Sequence, residues 1–219
     1  MTEAPPLVPA STVVLGRDGE DGVEVLMLRR NSKLAFGGMW VFPGGRVDEP
    51  DRRSGDREVE WARTAAVREA AEETGLVVEP SSMVAFSHWI PPEIAPRRFS
   101  TWFFLAPAPL GEVVVDMGEI HEHMWARPVD ALGRRDAGEI ELVPPTWVTL
   151  HWLSGFTTVD QAQRSVVEPE VYATRVGRLD VTPVVMWGRD SAYESGRLRA
   201  GGPRHRLVMG DVWRYERSD

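Results

Sequence analysis

The chain has 219 residues, enough for one domain or one domain with an appendage, and its 42% hydrophobic content supports a sizeable core. A net charge of −8 argues against non-specific nucleic-acid binding while leaving room for a local basic groove. The absence of cysteine excludes disulfides, thiolate zinc sites and a cysteine nucleophile. With no apolar run near the roughly 18 residues of a membrane span, and no basic and apolar leader in residues 1–6, a cytoplasmic protein without membrane contact is the default expectation.

Residues 1–9 are expected as a loose arm. Residues 10–15 and 23–28 are rich in Val and Leu, and Arg17-Asp18-Gly19-Glu20-Asp21-Gly22 between them supplies turn chemistry. Two antiparallel strands joined by a hairpin follow. Arg29 and Arg30 close the second strand, where they serve either as a solvated strand end or as phosphate contacts. A glycine-containing loop over 31–39 leads into Trp40-Val41-Phe42. Residues 58–74 predict a helix whose core side carries Val59, Ala66, Val67 and Ala70, stopped by Gly75 in the C′ position. Residues 83–90 predict a strand and 91–96 a proline-stiffened loop. Residues 97–105 predict a further strand with aromatics on both faces, as in the middle of a sheet. At its start, Arg98 and Phe99 place a guanidinium beside an aromatic ring, a pairing suited to a base or an acyl phosphate.

Residues 113–116 and 118–125 form a second chemically loaded stretch, with Glu119 and Glu122 as free carboxylates. His121 and His123 share a strand face, but two histidines without a third ligand make a weak zinc site, and a polar edge or pocket wall is the plainer reading. Short helices are predicted over 127–132, over 148–153 after Pro144-Pro145 with Thr146 as cap, and over 158–167. His151 reads as a packing residue. From Glu168 the character changes: residues 180–187 and 205–215 predict two strands joined by 196–203. This piece adds a ribbon to the sheet or is exchanged between subunits of a homodimer.

The chemistry concentrates in Arg68-Glu69-Ala70-Ala71-Glu72-Glu73-Thr74-Gly75-Leu76. At 3.6 residues per turn, Glu69, Glu72 and Glu73 fall within an arc of roughly 100°. Three like charges so placed repel. A solvated acidic helix face is one account. The other is a divalent cation, since Mg²⁺ and Mn²⁺ prefer carboxylate oxygens and Mg²⁺ bridges to phosphates. Upstream, Phe42-Pro43-Gly44-Gly45 puts two glycines where backbone approaches a ligand closely.

Together these residues resemble the box of the Nudix hydrolase family, G-x5-E-x7-R-E-U-x-E-E-x-G-U, where U is a bulky aliphatic residue. Counting back seven residues from Arg68 reaches Glu60, and Leu76 fills the last position. Ala70 stands where a larger aliphatic is usual. Fourteen residues separate Gly45 from Glu60 in place of five, and residues 49–56 are taken as an inserted loop. Strict spacing from Gly45 falls instead on Asp51. The resemblance implies an α/β/α sandwich with a mixed β-sheet over residues 10–167, and a β-rich C-terminal extension over 168–219. It implies Mg²⁺ or Mn²⁺ held by Glu69, Glu72, Glu73 and the Gly45 carbonyl, with Glu69 as general base. A further carboxylate from outside the box, Glu119 in preference to Glu122, joins as ligand or base. Glu60, Arg68 and Gly75 take structural roles, with Glu60 and Arg68 paired. The substrate is a nucleoside diphosphate linked to another group. Leu26-Met27-Leu28-Arg29-Arg30-Asn31-Ser32, Gly38 and Phe42-Pro43-Gly44-Gly45 are similar to the coenzyme A-cleaving branch, except that Leu34 stands where that branch has a second arginine, with Lys33 one place early. ADP-ribose, NADH, diadenosine polyphosphates and capped RNA stay open, as does a fold kept only to bind a ligand.

Overall fold

The computed structural model describes residues 4–31, 37–115 and 118–218. Residues 1–3 of the expected arm, Ser32, Lys33 and Leu34 of the coenzyme A-like motif, and Asp116 lie outside the described residues.

A mixed eight-stranded sheet is built around β1 (Leu7–Gly19). On one side β1 forms the expected hairpin with β2 (Gly22–Arg30), Gly19 facing Gly22. Further along, the same edge takes up β4 (Gly44–Arg46), with Gly45 opposite Ser11. On the other side β6 (Arg98–Pro107) runs parallel to β1, from Leu7 opposite Arg98 to Gly16 opposite Pro107. Beyond β6 lie β5 (Val84–Ile90) and then β8 (Glu170–Ala173), parallel to β5. Beyond β2 lie β3 (Trp40–Val41) and β7 (Ile120–Ala126).

Alternate residues of the central strands feed two cores, as period-two side-chain placement requires. Val13, Leu15, Leu26, Leu28, Phe104 and Ala106 pack under α1 (Glu58–Thr74). Helix α1 meets them through Ala62, Ala65, Ala66 and Ala70, all fully buried. Alanine leaves little between helix axis and sheet, so α1 lies close. Val14, Val25, Met27, Phe103 and Leu105 face the other way. They are covered by α2 (Pro128–Asp136), α3 (Pro144–Leu153) and α4 (Val159–Ser165). The result is an α/β/α sandwich.

Several expectations are corrected. Leu7, Val8 and Pro9 are no loose arm but the first rungs of the parallel ladder with β6, and the Pro9 carbonyl accepts the Val47 N–H at 2.9 Å. Local composition gave no sign of this pairing because the partner strand lies about ninety residues away. Thr146 does not cap α3. Val143 stands at the N-cap and the two prolines fill the first turn, where a missing N–H costs nothing. Thr158 does cap α4, accepting the Gln161 N–H at 3.2 Å.

The C-terminal piece departs most. A second sheet holds β9 (Arg175–Leu179), β10 (Thr182–Met186), β11 (Arg204–Met209) and β12 (Trp213–Ser218), all antiparallel. The strand expected over 180–187 starts at Thr182, because Asp180 adopts a left-handed conformation (φ 55°) in a turn. The strand expected over 205–215 is a hairpin turning at residues 210–212. Trp187 and Leu207 enter the same core as α3, and Tyr172 stacks on Trp89 at 3.9 Å. Arg135 of α2 lies 4.3 Å over the Trp213 ring and donates to the Asp211 carbonyl at 2.7 Å. Among the described residues no helix is long and apolar enough to cross a membrane.

Within this sheet Arg206 and Asp190 form a bidentate pair at 2.7 and 2.6 Å, both side chains almost wholly out of solvent. Removing one partner strands the other charge. Arg206→Leu is therefore expected to cost about 3–5 kcal/mol in urea unfolding. Arg214→Leu, which breaks an exposed pair with Glu216, should stay within about 1 kcal/mol of the parent.

Candidate functional site

The site forms where β4 passes beneath the second half of α1. A side chain at Gly44 would bring its Cβ within 2.3 Å of the Ser11 carbonyl oxygen, and one at Gly45 within 2.3 Å of Glu69 Oε1. Only glycine lets strand, backbone and carboxylate come this close. The Gly44 N–H donates to Glu73 Oε2 at 2.9 Å. At the far end Gly75, in the left-handed region at φ 73°, stops α1 and donates to the Ala71 carbonyl, as its structural role requires.

Glu73 is only 6% exposed. Burial pushes its carboxyl up to about 7, against the pull of the Gly44 N–H and the Arg30 charge, while Glu69 and Glu119 push it further. Burial likewise raises Glu69, opposed by hydrogen bonding to Arg68. Glu72 is exposed. Arg68 Nη1 touches both remaining acids, 2.8 Å from Glu69 Oε1 and 3.1 Å from Glu72 Oε2. Glu69 and Glu72 are thus bridged by a cation, and Glu69 lies within electrostatic reach of Glu73.

Arg68 is fixed from its other side by Asp51, not by Glu60. Its Nε and Nη2 donate to Asp51 at 3.2 and 2.8 Å, and Nη2 also reaches the Arg46 carbonyl at 3.0 Å. Glu60 turns away to Arg57 at 3.7 Å and Arg63 at 3.3 Å. Burial alone would raise the Asp51 carboxyl. The Arg68 bonds and the Asp48 N–H outweigh it and hold Asp51 below the usual carboxylate range, while Arg68 is pushed well above its own. The expected insertion is thus misplaced. Glu49–Asp51 is a 3-10 turn belonging to the site, and the extra residues follow Asp51. The signal was legible, since Asp51 stands at the strict spacing from Gly45. Counting back seven residues from Arg68 in the same pattern selected Glu60 instead.

Of the outlying candidates, Arg30 and Glu119 come together at 3.1 Å, and both act electrostatically on Glu73. Arg29 pairs with Glu122 at 3.3 Å. Arg98 does not join the site. Its guanidinium holds the Pro5 and Pro91 carbonyls at 3.1 and 3.4 Å, and Phe99 sits beside it opposite Val8. His121 and His123 are exposed, and among the described residues no three His, Cys, Asp or Glu side chains are grouped as a ready metal cage. The donor chemistry nonetheless fits a hard divalent ion. The Gly45 carbonyl, Glu69, Glu72 and Glu73 offer only oxygens, two of the carboxylates resist ionisation by burial, and the gap at Gly45 is one that any Cβ would fill.

Two outcomes follow from this geometry. Asp51→Asn should lower stability by about 1.5–3 kcal/mol in urea titration, the range for a hydrogen bond to a charged group, whereas Glu60→Gln should cost under about 1 kcal/mol. Glu73 has its folded value raised from 4.5 to about 7, so its stabilisation is complete below pH 4.5 and is lost as pH rises through 7. Without divalent ions, the wild type should therefore lose up to ~3 kcal/mol relative to Glu73→Gln between pH 4.5 and 7.5, read by parallel urea titrations.

The NUDIX domain family model matches residues 6–167. A Caenorhabditis elegans relative bearing the name nudix hydrolase 7 is 30% identical over 168 residues, covering 59% of this chain and 55% of its own. The chain thus spans about half the length of that relative. Among solved structures, a NUDIX hydrolase from Alicyclobacillus acidocaldarius superposes with a TM-score of 0.67 at 24% identity, over 75% of this chain and 99% of the other. The NUDIX domain of Shewanella oneidensis NrtR, solved with ADP ribose, gives 0.50 at 19% identity over 67% and 86%. These two likenesses concern the fold. The family match covers seven of the eight strands of the first sheet, α1 and every residue of the carboxylate site, and the chain belongs to the Nudix family.

Proposed function

We propose that the chain is a metal-dependent hydrolase of the diphosphate bond in a nucleoside diphosphate linked to another group. One observation carries this reading: the half-buried Glu69 leaves no room for a side chain at Gly45, and the buried Glu73 accepts the Gly44 N–H, so two carboxylates are pressed against the Gly44-Gly45 backbone. Gly45, Glu69, Glu72 and Glu73 would hold Mg²⁺ or Mn²⁺, which when bound lowers the pKa of water and draws charge off phosphate oxygens. Glu69, half-buried beside the exposed Glu72, takes the proton from the attacking water. Glu119 is the second carboxylate within electrostatic reach of Glu73. Arg30, a half-buried guanidinium whose Nε is buried without a partner among the described residues, is placed to take a phosphate oxygen. Asp51 holds Arg68, and through it the Glu69–Glu72 edge, in register.

For the substrate, coenzyme A or an acyl derivative is supported by the sequence run from Leu26 through Arg30 and by Phe42-Pro43-Gly44-Gly45. ADP-ribose is supported by the ligand of the NrtR domain, and this ligand also fits a protein that binds without cleaving. Arg98 and Phe99, tied up away from the carboxylates, have no part in the proposal.

A panel of coenzyme A, ADP-ribose, NADH and diadenosine polyphosphate with Mg²⁺ or Mn²⁺, monitored for released mononucleotide, tests this. EDTA should abolish turnover, and turnover should rise on the alkaline side as the raised carboxyls ionise. Glu73→Gln should lower kcat by at least about 100-fold. Tight ADP-ribose binding with no turnover of any substrate would instead establish the binding-only reading.

A further inference from the structure

The extension carries a charge distribution that neither the fold nor the carboxylate site uses. Residues 168–219 hold nine arginines against eight acids, whereas residues 1–167 hold 16 basic side chains against 25 acidic. Of those nine, Arg175, Arg189, Arg199, Arg206, Arg214 and Arg217 each have a carboxylate partner. Arg178, Arg197 and Arg204 have none among the described residues, and Arg204 is turned onto Ser191 and backbone carbonyls. The Arg178 guanidinium bonds only the Val181 carbonyl at 3.0 Å, and that of Arg197 bonds nothing.

These two unneutralised guanidiniums, with Arg199, line one shallow concavity of about 430 Å³ floored by Leu179 and Leu198. The loop bearing Arg197 and Arg199 is pinned from beneath, opposite Arg178 of β9. Arg206 Nη1 donates to the Leu198 carbonyl at 2.9 Å, and Arg206 is itself gripped by buried Asp190. Arg204 donates to the Ala200 carbonyl and, at 2.7 Å, to Ser191 Oγ. The mouth of the concavity is therefore held rigid, although its side chains are exposed. Neighbouring cations repel, and on a chain of net charge −8 several carboxylates were available to neutralise them. A guanidinium presents a planar fork that matches phosphate oxygens, and a fixed loop reduces the ordering cost of binding.

We propose that this concavity is a binding site for a chain of phosphate groups, separate from the carboxylate site. A free polyphosphate, a nucleoside triphosphate and a nucleic-acid backbone share that chemistry. The inference does not depend on the hydrolase reading.

The test uses the full chain in EDTA, so that no metal recruits anions to the carboxylates, with tripolyphosphate titrated by calorimetry at low salt. The expected result is one saturable site, weakened at least about tenfold in Arg178→Gln/Arg197→Gln and unchanged within about twofold in Glu73→Gln. Because both arginines are exposed, the double variant should melt like the parent, and it should retain metal-dependent turnover. Displacement by a single-stranded oligonucleotide would identify a nucleic-acid backbone as the source, and displacement by nucleoside triphosphate alone a free nucleotide. Absence of saturable binding, binding by the double variant within twofold of wild type, or binding lost in Glu73→Gln would each overturn the proposal.

Discussion

The close approach of α1 to the Gly44-Gly45 backbone is the constraint on which the rest of the structure depends. It is assembled from two sides. The alanine face of α1 brings the helix axis near the sheet, and β4, paired to β1 through Gly44 and Gly45, removes every atom that would hold it off. Once that gap closes, Glu73 is left almost wholly out of solvent and accepts the Gly44 N–H. A carboxylate in that position resists ionisation unless a cation is supplied. The demand for positive charge is thus a product of packing as much as of acid spacing. This separates the cluster from a solvated helix face, where the same three acids would spread into water at small cost.

Asp51 shows how the box tolerates a long insertion. The turn Glu49–Asp51 brings a carboxylate to Arg68 at the spacing that the pattern prescribes, and the additional residues begin only after it. They rest on the outside of α1. Trp61 Nε1 donates to the Arg53 carbonyl at 3.1 Å, and the Arg52 guanidinium lies 5.6 Å from the Trp61 ring centroid. Lengthening a surface loop adds little closure entropy, since each doubling costs only about 0.6 kcal/mol. An insertion one turn earlier would have displaced Asp51 itself and freed Arg68.

The sequence made the hairpin, α1 with its stop at Gly75, the buried central strands and the acid trio legible, because each rests on local periodicity or on a residue with one conformational use. What it hid was decided at long range. Leu7–Pro9 carry no strong strand signal and extend because β6 offers them a parallel partner. The hairpin at 210–212 was masked by a run of strand-forming residues on both sides of the turn. Glu60 was an attractive partner for Arg68 by helical arithmetic, but residues eight apart lie about 12 Å apart along a helix. Arg57 and Arg63, each three positions away, were better placed to take it. Arg98 looked like a ligand contact because it stands beside Phe99 at a strand start, a pairing suited to a base or an acyl phosphate. Here the loop carbonyl at Pro91 and the early chain at Pro5 claim it first.

The extension obeys a different logic from the domain it joins. Its aromatic side, through Trp187, Tyr172 and Leu207, merges with the core beneath α3, so apolar burial suffices to hold it in place. The Arg206–Asp190 pair adds little that well-packed aliphatic side chains would not, because two desolvated charges offset much of their own attraction. What the pair does supply is direction. Asp190 also accepts the Ala192 and His205 N–H groups at 2.8 and 3.0 Å, and Arg206 Nη1 donates to the Leu198 carbonyl, so one buried ion pair fixes three backbone segments relative to one another. An apolar replacement would keep the sheet folded and leave the loop over 196–200 without its anchor. The charge pair is therefore better understood through the surface it positions than through the stability it contributes.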